Sequence, residues 1–227
     1  MKVILTGSEG QLGRALISTK PNNIKLIVKN KRDFDITNEQ ECIKIISSNK
    51  PNWVINASAY TLVDQAEINN KEAFSVNSNG SYNLAKTIKN YGGNLLHFST
   101  DFVFSGDQSK AYTPDQEPNP INIYGKSKAK GELAIIELLN KKNQGVIIRT
   151  SWLIGSVGRN FALTILKLHK EQENISVVSD QIGSPTTTSS LANASWKLIQ
   201  LKESTSSKNI KIPSIYHYSD AGIASWY

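Results

Sequence analysis

A tyrosine and a lysine, Tyr124 and Lys128, stand four residues apart where the sequence changes from a loop to a helical pattern. Residues four apart on a helix share one face, so the two side chains are expected to be neighbours. An ammonium group beside a phenol favours the phenolate and lowers the pKa of the tyrosine toward working pH. The pair therefore predicts a proton donor, and the lysine can also hold a ribose hydroxyl.

A second polar segment, Ser99-Thr100-Asp101, follows an apolar run that predicts a buried strand. The hydroxyl of Thr100 can hydrogen-bond an oxygen that gains negative charge when a hydride arrives at a carbonyl carbon. A Tyr-x-x-x-Lys motif alone is weak, because many such pairs lie on the surface by chance. Its specificity rises when it follows a Ser-Thr strand end and a glycine turn in the right order.

That glycine turn lies near the start of the chain, where Gly7, Gly10 and Gly13 follow the apolar run Val3 to Leu5. A strand, a tight turn and a helix are predicted, with the helix N–H groups and dipole directed at one point. Such a point binds the pyrophosphate of a dinucleotide. The spacing is G-x-x-G-x-x-G rather than G-x-G-x-x-G, so an ordinary turn between a strand and a helix is the alternative.

The second predicted strand ends in the cluster Lys29-Asn30-Lys31-Arg32 instead of the acid that commonly holds a ribose 2′-hydroxyl. Cations at this position favour the 2′-phosphate of NADP, although a solvated loop would have the same composition. After the third strand, the small side chains of Ala57-Ser58-Ala59 would let a cofactor lie against the backbone.

Alternating strands and helices predict the fold class, an α/β protein with a Rossmann-like, doubly wound parallel sheet and right-handed crossovers. Ligands of such sheets bind beyond the carboxyl ends of the strands. A polar surface loop is predicted at Lys202–Asn209. The predicted strands are Val3–Leu5, Ile24–Val28, Trp53–Asn56, Leu95–Ser99, Val146–Arg149 and Ile175–Val178, and the predicted helices include Glu72–Tyr91, Lys126–Asn140 and Phe161–Glu171.

Composition limits the classes of protein that remain. The 227 residues suffice for one sizeable domain with a small appendage, and 39% hydrophobic with 20% charged residues argues against disorder. The net charge of +7 suits a phosphate-bearing ligand, whereas the lack of a long basic run argues against nucleic acid as a partner.

The cysteine and histidine content argues against a metal site or a disulfide framework. A single cysteine, Cys42, excludes an intramolecular disulfide, and its spacing with Ile46 predicts an inward-facing helix position. His97, His169 and His217 lack ligand spacing, so structural roles are expected. The apolar run at the start is too short for a signal peptide and no stretch could span a membrane, so a cytoplasmic protein without a membrane partner is expected.

Several longer stretches resemble the extended short-chain dehydrogenase/reductase family, and together they cover nearly the whole chain. The resemblance implies an NAD(P)-binding Rossmann domain over 1–150. It also implies that 151–227 hold the remaining sheet elements and part of a sugar-nucleotide-binding region. The matching stretches are GSEGQLG, DFDIT, NASAYTLVDQAE, VNSNGSYNLA, STDFVFSG, YGKSKAKGE, RTSWLIG, DQIGSPT and YHYSDAGIASWY.

By this resemblance the chain reduces the C4 keto group of a dTDP-4-keto-6-deoxy sugar, with dTDP-L-rhamnose as product. NADPH is the expected cofactor and NADH the alternative. Thr100, Tyr124 and Lys128 would be catalytic, while Thr100, Asp101 and Trp152 would contact the sugar. The expected cofactor-binding residues are Gly7, Gly10, Gln11, Leu12, Gly13, Asp35, Ile36, Ser58, Ala59, Tyr60, Tyr124 and Lys128.

Three of these residues have structural alternatives that the sequence leaves open. Trp152 is equally consistent with a core position beside Leu153 and Ile154. Asp101 would also serve as a cap at the strand end, and Asp35 as part of the N-cap region of the following helix.

The chain also departs from the family pattern. Family members usually continue past the final tryptophan and tyrosine, so an incomplete small substrate-binding lobe is expected. Ala15 replaces a glutamate that helps to bind magnesium in other members, so no metal is predicted. A homodimer through the helices Val76–Ile88 and Lys128–Leu139 is implied.

Other functions remain open at this point. One is a related nucleotide-sugar epimerase or dehydratase. A second is a non-catalytic NADP-binding regulatory protein on the same fold, and a third is a prematurely ended copy of the reductase.

Overall fold

The computed structural model describes residues 1–171, 174–206 and 212–227. Its strands are β1 (Lys2–Thr6), β2 (Lys25–Val28), β3 (Trp53–Asn56), β4 (Asn94–Thr100), β5 (Gly145–Thr150), β6 (Leu153–Ile154), β7 (Ile182–Gly183), β8 (Thr186–Thr187), β9 (Ile215–Tyr218) and β10 (Ala224–Ser225). Its α-helices are α1 (Gln11–Ser18), α2 (Glu39–Asn49), α3 (Val63–Ala66), α4 (Asn70–Phe74), α5 (Ser81–Tyr91), α6 (Ile123–Leu139), α7 (Phe161–Glu171) and α8 (Thr188–Ser206).

Within the described ranges, six strands form one parallel sheet in the order β2-β1-β3-β4-β5-β9. The strand order reverses direction at β1, which has β2 on one side and β3 on the other. This switch point opens a crevice at the carboxyl ends of the strands, the place where ligands bind in such folds. The predicted doubly wound parallel sheet is confirmed.

Different helices cover the two faces of the sheet. Adjacent residues of a strand point to opposite faces, so each strand contributes side chains to two separate core clusters. Val3 and Leu5 of β1 pack in a cluster with Leu16 of α1 and Trp196 of α8. Ile4 lies in the opposite cluster, with side chains of α2, α5 and α6. Both faces of the central strands are therefore buried, as their continuous apolar runs predict.

The helix predicted over Glu72–Tyr91 is present with an irregular centre. A π-helical segment, Ser75–Gly80, joins α4 to α5. Gly80 fits because a Cβ there would lie 2.7 Å from the side chain of Ile36. Gly92, with φ 90°, ends α5 as predicted.

Two predicted segments are wrong. Ile175–Val178 forms no strand, and the sixth strand of the sheet is β9, whose Ile215 pairs with Ile147. Lys202 is helical rather than in a loop, because α8 continues to Ser206 with Ile199 and Lys202 on its buried face. The rest of that predicted loop, 207–209, lies outside the described residues. None of the helices in the described ranges is long and apolar enough to cross a membrane.

Candidate active site

The glycine turn joins β1 to α1 and packs against the end of β3. Gly7 has φ 65°, and a Cβ there would lie 2.5 Å from the backbone of Ala57. A Cβ on Gly13 would overlap the carbonyl oxygen of Gly7. Gly10 is the N-cap of α1, and a Cβ there would lie 3.3 Å from the same carbonyl oxygen, a tight contact. The turn therefore leaves the first N–H groups of α1 accessible, which suits a pyrophosphate.

A continuous crevice runs past this turn along the sheet edge. Two adjoining cavities of about 280 and about 600 Å³ share Gly10 and Ser58 in their walls. The smaller lies near Lys31 after β2, and the larger reaches the ends of β4 and β5. Apart from Gly13, which packs the turn, every site residue predicted from the sequence lines one of the two cavities.

The predicted adenine side of the crevice is built by the turn before α2. The Asp35 carboxylate accepts hydrogen bonds from the backbone N–H and the hydroxyl of Thr37, at 2.9 and 2.8 Å. This is the turn-stabilising role that was the alternative for Asp35, while the residue still lines the cavity. Ile36 beside it is buried, as is the side chain of Leu12, which lies in the core cluster under α1.

Thr100, Tyr124 and Lys128 come together at the other end of the crevice. Thr100 ends β4, and its hydroxyl donates to the Asp101 carboxylate at 2.9 Å. Tyr124 and Lys128 lie in the first turns of α6, which starts at Ile123, three residues earlier than predicted. Both are buried, and Asn122 caps the helix by accepting from the Gly125 N–H at 2.7 Å.

The ionisation of Tyr124 differs from the expected one. Burial raises the pKa of Tyr124 to about 12, against an opposing hydrogen bond with Thr100, whereas the sequence predicted a lowered pKa. Burial of the phenol outweighs the effect expected from the lysine, and Lys128 Nζ donates to the Phe98 carbonyl at 2.6 Å. Tyr124 is thus a phenol at neutral pH and has a proton to give.

Burial has the opposite effect on the lysine, because it disfavours the charged form of either group. It lowers the pKa of Lys128 to about 8, while the nearby Glu132 acts against the shift. Burial also raises the pKa of Asp101 above its usual value.

Trp152 lines the crevice in a strained backbone conformation, with φ 44°. One face of its ring stacks on Trp226 with 3.6 Å between centroids, and Phe161 packs against Trp226 in turn. Gly183 lies against the Trp152 ring, because a Cβ there would be 2.6 Å from it. Trp152 is therefore part of an aromatic wall, and sequence reasoning missed the contribution of Trp226.

Sequence reasoning also missed two buried polar residues that position the site. Asn77 accepts from the Tyr60 N–H at 2.9 Å and donates to the Ser127 hydroxyl at 2.9 Å, so it ties the loop after β3 to α6. His97 lies 3.4 Å from the Lys128 ammonium nitrogen. A polar residue inside an otherwise apolar strand was the available signal for His97. Among the described residues no group of acidic, histidine or cysteine side chains could hold a metal ion.

The comparison with known families decides the class of this protein. Residues 1–227 match the family described as the RmlD substrate binding domain. The chain belongs to the RmlD family. This confirms the resemblance found in the sequence.

Named RmlD relatives match the chain over its whole length. It is 40% identical to the dTDP-4-dehydrorhamnose reductase of Aggregatibacter actinomycetemcomitans, covering 100% of this chain and 76% of that protein. The structure of a dTDP-4-dehydrorhamnose reductase from Clostridium acetobutylicum is 37% identical with a TM-score of 0.91, covering 100% of this chain and 77% of that one. The corresponding protein from Bacillus anthracis, solved in complex with NADP, is 40% identical with a TM-score of 0.89 and coverages of 99% and 76%.

Proposed function

We propose that this protein is an NADPH-dependent reductase of the C4 keto group of dTDP-4-dehydro-L-rhamnose, with dTDP-L-rhamnose as its product. The relatives named dTDP-4-dehydrorhamnose reductase support this substrate. The observation that carries the proposal is geometric: Tyr124, Thr100 and Lys128 line the end of a crevice that starts at the glycine turn.

The crevice fits a dinucleotide, because the turn packs so closely that side chains on Gly7 or Gly13 would collide with backbone. Gly10, Gln11 and Leu12 would lie along the pyrophosphate. Lys31 lines the smaller cavity and would contact a 2′-phosphate, which supports NADPH over NADH. The remaining cofactor contacts are proposed for Gly7, Gly13, Asp35, Ile36, Ser58, Ala59, Tyr60, Tyr124 and Lys128.

In the proposed reaction Tyr124 gives its proton to the C4 oxygen. NADPH, when bound, supplies the hydride. The oxygen that gains charge is far more basic than a phenolate, so a phenol with a high pKa is a competent donor. Thr100 hydrogen-bonds the same oxygen, and the ammonium of Lys128 stabilises the phenolate that remains. Asp101 and Trp152 would hold the sugar.

The two parts of the chain would divide these tasks. Residues 1–150 form the cofactor-binding Rossmann domain in this proposal, and 151–227 contribute sheet elements and part of the sugar-nucleotide site. The loops that carry Trp152 and Trp226 support this division, since both line the larger cavity.

We further propose a cytoplasmic homodimer. NADPH is a cytoplasmic cofactor, which supports the location. The side chains of Tyr82 on α5 and Leu133 on α6 are exposed, and these two helices are the proposed contact. Light scattering coupled to gel filtration tests the dimer, and a monomeric mass at micromolar concentration contradicts it.

The test of the reaction is to follow nicotinamide absorbance with NADPH and the dTDP-4-keto sugar. We expect one NADPH oxidised for each dTDP-L-rhamnose formed. Cofactor that stays bound and is regenerated in each turnover would indicate an epimerase or dehydratase instead. Cofactor binding without turnover would indicate a regulatory protein.

A further inference from the structure

A row of buried polar side chains runs from the carboxyl ends of β1 and β3 to the middle of β4 and ends at Lys128. Thr6, Asn56 and His97 are adjacent in the register of β1, β3 and β4. Thr6 donates to Asn56 Oδ1 at 2.8 Å, and Asn56 Nδ2 lies 3.1 Å from His97 Nδ1. His97 Nε2 lies 3.4 Å from Lys128 Nζ. Buried polar groups rarely lack hydrogen-bond partners, so these contacts determine how each of the four side chains is oriented.

The backbone of Ser58 fixes the orientation of the Asn56 amide. The Ser58 N–H lies 3.2 Å from Asn56 Oδ1, and a backbone N–H can only donate. The oxygen must therefore face Ser58 and Thr6, which leaves the NH₂ group of Asn56 facing His97. In the other amide orientation, the NH₂ group of Asn56 would face two hydrogen-bond donors, the Thr6 hydroxyl and the Ser58 N–H.

The orientation of Asn56 in turn fixes the proton on His97. His97 is fully buried, and burial together with the charge of Lys128 holds the pKa of His97 well below its usual value. The ring is therefore neutral, with one donor and one acceptor nitrogen. Since Nδ1 accepts from Asn56, the proton is on Nε2, which is the nitrogen that faces Lys128.

The His97 Nε2–H group then disfavours the positively charged form of Lys128. An ammonium at Nζ would put two donors 3.4 Å apart, whereas an uncharged amine could accept from Nε2–H and still donate to the Phe98 carbonyl. The other charged or titratable groups around the lysine are Tyr124 and Glu132 on its own helix, Arg149 paired with Glu132, and Asp101 beside Tyr124.

We propose that His97 is a positioning residue for Lys128: oriented by Asn56, it holds Nζ against the Phe98 carbonyl and opposes the ammonium form. This rests on the proposed function, in which Lys128 stabilises the Tyr124 phenolate. The lysine then loses its proton more readily than an ordinary one.

The experiment measures the titration of Lys128 directly, by ¹³C NMR of the lysine Cε in uniformly lysine-labelled protein. The resonance is assigned by its loss in Lys128→Arg. We expect His97→Leu to raise the titration midpoint of Lys128 by about one pH unit, because the Nε2–H group that faces the ammonium is removed. His97→Gln, which keeps a donor and an acceptor, should stay close to the unmodified protein. His169→Gln, at an exposed histidine of α7, is the matched control.

A second variant keeps the test decisive if His97→Leu fails to fold. In Asn56→Asp the carboxylate accepts a hydrogen bond from His97 Nδ1–H, so the proton leaves Nε2 and the Nε2 lone pair faces Lys128. This acceptor and the added negative charge should both raise the titration midpoint of Lys128. The alkaline limb of the kcat/KM profile should move with the NMR midpoint. The proposal is overturned if the titration midpoint of Lys128 is unchanged in His97→Leu or in Asn56→Asp. It is also overturned if His97→Gln shifts that midpoint as much as His97→Leu does. Because the NMR titration needs no turnover, an inactive protein would contradict the reductase function and still leave the role of His97 measurable.

Discussion

Gln11 and Asn160 join the two sides of the crevice. Gln11 Oε1 accepts a hydrogen bond from Asn160 Nδ2 at 2.7 Å and another from the Gly155 N–H at 3.1 Å. Gln11 Nε2 donates to the carbonyl of Arg159 at 2.8 Å. Since Gln11 opens α1 directly after the glycine turn, these bonds fasten the 155–160 loop beside the proposed pyrophosphate site.

Asn160→Asp should weaken NADPH binding about 5-fold, because the two hydrogen bonds that Asn160 Nδ2 donates, to Gln11 Oε1 and to the Gly155 carbonyl, are lost. The carboxylate can still accept from the Leu163 N–H, as Asn160 Oδ1 does at 3.0 Å, so α7 keeps its contact. Fluorescence titration of NADPH measures the affinity, and trypsin cleavage after Arg159 should become faster. If the variant and the unmodified protein bind NADPH equally well and are cleaved equally fast, the hydrogen bonds of Asn160 Nδ2 do not order the loop.

Tyr124→Phe should lower kcat by roughly 100-fold or more, which is typical when a positioned acid is removed. The ring and its edge contact with Phe102 are kept, so NADPH affinity should hardly change. Steady-state kinetics with a parallel binding titration separates the two effects. Tyr91→Phe, at an exposed tyrosine at the end of α5, is the control. Full activity of Tyr124→Phe would assign the proton to another group.

Lys31→Ala should weaken NADPH binding about 5- to 10-fold and leave NADH binding nearly unchanged, since only NADPH carries the 2′-phosphate that this lysine is proposed to contact. Lys31 lines the smaller cavity. Lys25→Ala, at the opposite end of β2, controls for the lost charge. The measurement is the ratio of the two dissociation constants, and an equal loss for both cofactors would place the 2′-phosphate elsewhere.

Arg149 and Glu132 form a buried ion pair between β5 and α6, with 2.7 Å between Nη2 and Oε2. Arg149 also donates to the carbonyl of Pro114 and packs its guanidinium over the ring of Phe104. Glu132→Ala should lower the free energy of unfolding by about 3–5 kcal/mol, because the arginine stays buried without its partner. Urea titration measures this, and the double variant with Leu at both positions should recover much of the loss.

The sequence predicted those elements that local pattern determines. Val3 to Leu5 and Trp53 to Ile55 are buried on both faces, so they are apolar throughout and identifiable without tertiary information. The edge strand Ile215–Tyr218 is only partly buried and has no such run. Its pairing with β5 depends on residues far away in sequence, whereas Ile175–Val178 has the apolar residues that predict a strand from local sequence.

The site was predictable in position but not in ionisation. Parallel strands bring Thr100 and the glycine turn to one edge whatever the packing, so the predicted residues line the same crevice. The pKa of Tyr124 depends first on its burial, which the motif does not encode. The stacking of Trp226 on Trp152 is likewise set by tertiary contacts.

Lys202 makes stability depend on pH. It is buried in α8 with its Nζ donating to Asn143 at 3.0 Å, and burial lowers the pKa of Lys202 to about 8. Between that value and the ordinary lysine pKa of about 10.4, the unfolded chain holds a proton that the folded protein has released. Stability from this group therefore rises as pH increases through this window, and the ammonium is a cost at neutral pH.

Lys202→Met, which keeps the length of the side chain without the charge, should raise the free energy of unfolding at pH 7 by about 1 kcal/mol. The gain should shrink as pH rises from 7.5 to about 9.5, because the unmodified protein then loses the same charge. Urea titrations of both proteins across this range measure the difference. Lys197→Met, at an exposed position of the same helix, is the control. A difference that stays constant with pH would mean that Lys202 keeps its charge in the folded protein.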